Sequence, residues 1–150
     1  MPQSLANILI HLTFSTKERR PFIRADVERD LHRYVAAIRA NQGCPAHEVN
    51  GTEDHIHICL SLSRTMAVAA LVEEVKRSSS KWIQTKGDAY RHFAWQAGYA
   101  AFSIGQSGLD RLKRYIGSQK EHHSKRDFKA ELRTLLTKYK VDHDERYVWD

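Results

Sequence analysis

The chain has little of what staples or divides proteins: two cysteines, Cys44 and Cys59, and three prolines in 150 residues. Two thiols, with no basic-then-apolar leader pattern ahead of them, predict a reducing, cytoplasmic setting and no disulfide framework. No stretch rich in proline, glycine or serine interrupts the sequence, so one domain over 1–150 is expected. Apolar runs such as Ala67–Val72 fall far short of the ~20 residues a membrane-crossing helix needs, and no membrane partner is predicted.

What the chain does have is charge on a globular background. With 41% hydrophobic and 28% charged residues, wholesale disorder is excluded. The net charge of +6 favours a polyanionic partner, nucleic acid being the commonest. The basic residues are clustered: Lys76, Arg77, Lys81, Lys86 and Arg91 face Asp88 alone, and Asp110–Arg126 holds six bases against two acids.

Periodicity gives the order of elements. Leu5–Phe14 reads as a strand, and from Asp26, a plausible N-cap, Val27, Leu31, Tyr34, Val35 and Ile38 form a helical stripe that Gly43 stops. Ala46–Asn50, the turn Gly51–Asp54 and the alternating run His55–Leu62 form a hairpin. Val68, Leu71, Val72, Val75, Trp82 and Ile83 mark a long helix closing at Gly87, and Phe93–Ile104 is a strand bent at Gly98. Two more helices follow, at about 108–123 and about 127–140. The fold class predicted is α+β, a ferredoxin-like βαββαβ antiparallel sheet with additional C-terminal helices, one sheet face buried and the other free for a ligand or partner.

Two groups of residues carry candidate chemistry. A strand period of two puts His55, His57 and Cys59 on one face, with Ile56, Ile58 and Leu60 on the core face. Two imidazoles ~6.6 Å apart along the strand can converge on one metal ion, although a half-exposed strand with two polar histidines has the same pattern. Cys59 lacks the second thiolate that a zinc site ordinarily recruits. Tyr115 and Gln119, four residues apart, stack on one helix face beside a core stripe of Leu112 and Ile116. A phenol of pKa ~10 is a poor nucleophile unless the phosphorus it attacks is polarised. A divalent metal on His55, His57 and Gln119 would do this through a phosphate oxygen. Attack by Tyr115 would release a 3′-hydroxyl and leave a 5′-phosphotyrosine, whose retained energy lets an incoming 3′-hydroxyl reverse the step.

Asp54-His55-Ile56-His57 resembles the His-hydrophobic-His motif of HUH endonucleases, and Tyr115–Gln119 resembles the tyrosine helix of the single-tyrosine transposases. His11–Lys17, Phe93–Tyr99, Glu121-His122-His123 and Glu145-Arg146-Tyr147 are similar to segments of the same family, so the resemblance covers essentially the whole chain. Ala100 stands where that family often has glycine. The resemblance implies a TnpA-like or REP-associated transposase that acts on single-stranded DNA hairpins with Mg²⁺ or Mn²⁺, as a homodimer. It makes Tyr115 the nucleophile and His55, His57 and Gln119 the metal ligands. As a group, Lys76, Arg77, Lys81, Lys113 and Arg114 are expected to contact DNA phosphates. His122, three residues beyond Gln119, is expected as a surface histidine at a polar helix end, with a place on the face of Gln119 as the alternative, and Phe93 and Trp95 are expected in the sheet interior. The alternatives are a non-catalytic, domesticated hairpin-binding module and a metal hydrolase of small phosphoesters.

Overall fold

A computed structural model describes residues 2–123 and 125–150. Its elements are β1 (Leu9–Ser15), α1 (Ala25–Asn41), β2 (Ala46–Gly51), β3 (His55–Ser61), α2 (Val68–Gln84), β4 (Ala100–Ile104), α3 (Leu109–Gly117), α4 (Gln119–His123) and α5 (Phe128–Lys138). The four strands form one sheet in the order β2-β3-β1-β4 with antiparallel neighbours. This is the predicted ferredoxin-like arrangement. Among the described residues no helix is long and apolar enough to cross a membrane.

The pleat sorts β1 and β3 into two sets. Leu12 and Phe14 lie opposite Ile58 and Ile56, while His11 and Thr13 lie opposite Cys59 and His57. The first set, with Leu60, packs against Leu31 and Val35 of α1 and Leu71, Val75 and Ile83 of α2. Ile56, Ile58 and Leu60 are fully buried there, each contributing ~1.5–3 kcal/mol of transfer free energy. The turn that sets this register needs glycine at 51, where a Cβ would meet the His55 carbonyl oxygen at 2.1 Å.

The second face is not free, contrary to the prediction. Leu112 and Ile116 of α3 pack on Cys59, and Phe128, Leu132 and Leu136 of α5 pack on Phe102 of β4. As a result every residue of β1 is buried. Three element boundaries also differ. The first strand starts at Leu9, leaving Leu5 84% exposed. Helix α1 is preceded by Arg24, and Asp26 is its second residue, accepting a hydrogen bond from the Tyr90 hydroxyl at 2.7 Å. The predicted strand Phe93–Ile104 is broken: Trp95 bridges Thr16 alone, and β4 begins at Ala100. Between them the Lys76 ammonium donates to the carbonyls of Gln96, Ala97 and Gly98 at 2.8, 3.2 and 2.6 Å, which turns those groups away from a ladder. Phe93 and Trp95 are buried in the main core, as expected.

Candidate active site

The polar set of the sheet converges with three helices on one buried cluster. His55 and His57 project from β3 toward the α3–α5 side, both fully buried. The Nδ1 atom of His55 lies 2.8 Å from Asp54 Oδ1 and 2.9 Å from the Thr52 hydroxyl, which ties the ring to the turn preceding β3. His57 is tied through Nδ1 to His11 Nε2 of β1, at 2.7 Å. With both Nδ1 atoms engaged, the two Nε2 atoms face the same space.

Helix α3 carries Tyr115 beside its apolar stripe and ends at Gly117. Asn50 of β2 donates to the carbonyls of Ile116 and Gly117 at 3.0 and 3.2 Å, taking up acceptors that a helix end leaves open. The chain restarts as α4 at Gln119. The predicted tyrosine helix is therefore two helices, yet Tyr115 and Gln119 still meet. Gln119 is fully buried, and its Oε1 lies 2.9 Å from His55 Nε2.

Glu131 joins the two groups. It projects from the centre of the Phe128–Leu132–Leu136 stripe of α5, whose start is capped by the Asp127 carboxylate accepting from Ala130 N at 2.9 Å. One carboxylate oxygen, Oε1, lies 2.8 Å from His57 Nε2, 3.2 Å from His123 Nε2 and 3.6 Å from His55 Nε2. The other accepts from the Tyr115 hydroxyl and, at 3.1 Å, from Gln119 Nε2.

Burial drives the electrostatics. It lowers His57 to about 4 and His11 to about 3, so both rings are neutral at pH 7. Burial alone would raise Glu131, but the His123 and His57 imidazoles and the Tyr115 hydroxyl outweigh it and hold the carboxyl far below its ordinary range. Burial also raises Tyr115 well above the ordinary phenol, and Glu131 adds to the effect as hydrogen-bond acceptor and as negative charge. His55 faces acceptors from both nitrogens, the Asp54 carboxylate at one and the Gln119 amide oxygen at the other. A neutral imidazole carries one N–H and can donate to only one of the two. The ligand atoms of His55, His57, His123 and Glu131 lie within 4.8 Å of one another, and His123 Nε2 is buried without an aligned hydrogen bond. This donor set fits a divalent cation.

The structure thus brings together His55, His57, Gln119 and Tyr115, and adds Glu131, His123 and His11. Glu131 had one sequence signal, a carboxylate in the apolar stripe of the last helix. His122, expected at the surface, is half-buried with its ring centroid 4.7 Å from that of Tyr115, while His123 is the residue that reaches the cluster. Lys76, Arg77 and Lys81 lie on α2, across the sheet from the cluster. The Lys76 ammonium is consumed by three backbone carbonyls and, with burial lowering it to about 8, is an internal tie rather than a phosphate contact. Arg77 pairs with Glu74, and Lys81 is exposed. Lys113 and Arg114 flank Tyr115 on α3.

A ferredoxin-like sheet with paired imidazoles, a buried carboxylate and a phenol in one cluster defines a protein built around a candidate metal and tyrosine centre. Residues 4–119 match the family model described as IS200-like transposase, and the chain belongs to that family. The fold is similar to that of a candidate transposase from Deinococcus radiodurans R1 (TM-score 0.62, 17% identity, covering 79% of this chain and 98% of that one). It is also similar to a REP-associated tyrosine transposase bound to a REP hairpin (TM-score 0.60, 12% identity, covering 82% of this chain and 72% of that one). At these identities the two structures speak to the fold alone. No curated protein matches significantly in sequence.

Proposed function

We propose that this protein is a metal-dependent transposase that cleaves and rejoins single-stranded DNA at hairpin-containing ends, with Tyr115 as nucleophile and His55, His57 and Gln119 as metal ligands. The observation that carries the reading is the carboxylate of Glu131, one oxygen on the imidazoles and the other on the Tyr115 hydroxyl. Family membership supports the transposase class. The neighbour holding a REP hairpin makes a DNA hairpin the substrate to try first.

In this reading Tyr115 Oη passes its proton to the Glu131 carboxylate as it bonds to phosphorus, the phosphorus–O3′ bond breaks, and the departing 3′-oxygen takes up a proton from water. Glu131 is the acceptor nearest the phenolic proton, but burial and the same carboxylate hold the phenol protonated. A divalent cation, Mg²⁺ or Mn²⁺, at His55, His57 and Gln119, with Glu131 beside it, would supply the compensating positive charge and polarise a non-bridging phosphate oxygen. Asp54 and His11 act as positioning residues that aim the two rings. One chain brings every residue named into one cluster, and a homodimer would hold two DNA ends together.

The test is incubation of the protein with single-stranded hairpin oligonucleotides and Mg²⁺ or Mn²⁺. An SDS-resistant protein–DNA adduct is expected, lost in Tyr115→Phe and on chelation. An adduct that persists in Tyr115→Phe removes Tyr115 from the reaction. Hairpin binding with no cleavage under either metal would establish a non-catalytic binding module.

A further inference from the structure

Beside the candidate centre, and sharing Tyr115 and His11 with it, is a cavity of about 320 Å³ between the end of β4, the start of α3 and the end of α5. Its volume lies at the low end of the ~300–1,000 Å³ range of small-molecule sites, enough for one base and its sugar but not for a longer segment. Tyr139 forms an aromatic wall, held by stacking on Phe102 at a ring-centroid distance of 4.8 Å. Arg111 and Lys138, both exposed, line the same cavity and bring two positive charges to it, and Ser103 adds a hydroxyl. His11 also lines it, presenting the imidazole whose other edge holds His57.

We propose that this cavity receives one nucleotide of the DNA strand, the one whose 5′-phosphate becomes joined to Tyr115. The inference rests on the cleavage reading given above for the choice of nucleotide. In-line attack places the leaving 3′-oxygen opposite the phenol, so the nucleotide that departs lies away from Tyr115. The retained nucleotide is free to lie at the tyrosine's own flank, where the cavity is. An aromatic wall with two cations beside it is the pairing that holds single-stranded nucleic acid, base on ring and phosphate on charge. Tyr139, Arg111 and His11 are then specificity and positioning residues for the strand.

The probes are the four deoxynucleoside 5′-monophosphates, titrated into the isotope-labelled full chain and followed by NMR, with 2-deoxyribose 5-phosphate and inorganic phosphate as controls. Shifts centred on Gly105, Gly108, Arg111 and Tyr139 are expected, with affinities that differ among bases. The sugar phosphate should bind about tenfold more weakly or worse, as should the nucleotides to Tyr139→Ala. Arg111→Glu, an exposed substitution that leaves the stacked wall intact, should also weaken binding. Equal binding of nucleotides and inorganic phosphate, or shifts confined to other parts of the chain, would overturn the proposal. Nucleotide binding in the cavity by a protein that forms no adduct would leave the pocket standing and reject the cleavage reading. Adduct formation without nucleotide binding in the cavity would do the reverse.

Discussion

Alternate residues of β1 and β3 face opposite sides of one sheet, and the two sides achieve burial by different means. Toward α1 and α2 the sheet presents Leu12, Phe14, Ile56, Ile58 and Leu60, whose burial asks only for complementary shape. Toward α3, α4 and α5 it presents His11, Thr13, His55 and His57, equally buried, each with a hydrogen-bond partner. A buried polar group without a partner costs ~1–3 kcal/mol, so these residues are tolerated on the second side only as a network, beside the apolar contacts that α3 and α5 make with the sheet. The comparison teaches that the dry side supplies stability, whereas the polar side places a carboxylate, an amide and a phenol within reach of two imidazoles.

The largest effect expected of a single substitution falls on the dry side. Ile58→Ala should cost ~2–5 kcal/mol in denaturant unfolding, because the fully buried site can collapse only in part. A loss under ~1 kcal/mol would mean that this face is not the stabilising one. On the polar side, Glu131→Gln should cost less, ~1–3 kcal/mol, since the amide keeps one acceptor but leaves other groups unpaired. The same substitution should bring the Tyr115 phenol down toward its ordinary range, because it removes the negative charge and the strong acceptor that raise it. Phenolate absorbance, taken as the difference from a Tyr115→Phe background, checks this. An unmoved titration would separate Glu131 from the tyrosine.

Much of this division is legible in the sequence. The period-two run from His55 to Leu60 fixes which residues are apolar and which are imidazoles, and the i, i+4 spacing brings Tyr115 and Gln119 together even though the helix breaks between them. Register is not legible. That His11 meets His57 depends on how β1 and β3 slide past each other, and no local pattern states it. Glu131 is hidden for a similar reason: its place in an apolar stripe marks it as buried, but only the docking of α5 shows what it meets. Lys76 misleads because a basic residue on a helix reads as surface charge, whereas three carbonyls of the broken strand capture it.

A further effect, summed over several groups, should appear with pH. Burial, the leading cause in each, holds His11, His32 and His57 at about 3, 4 and 4. In the unfolded chain these rings take a proton below ~6.5, which the folded chain refuses until much lower pH. The unfolded state therefore binds more protons across that window. Stability should fall as the pH drops, by up to ~1.4 kcal/mol per histidine per pH unit. Thermal unfolding of metal-free protein from about pH 7 to about pH 4 checks the sign, and a melting temperature that is flat or rises on acidification would show that the polar face already carries the protons.

Loading the protein with Mn²⁺ and recording its pulsed EPR spectrum tests most directly whether the polar face is a metal centre. One Mn²⁺ per chain coupled to two imidazole nitrogens is predicted, with one coupling lost in His55→Ala and one in His57→Ala. Mn²⁺ that shows no nitrogen coupling, or a spectrum indifferent to both substitutions, would contradict the account.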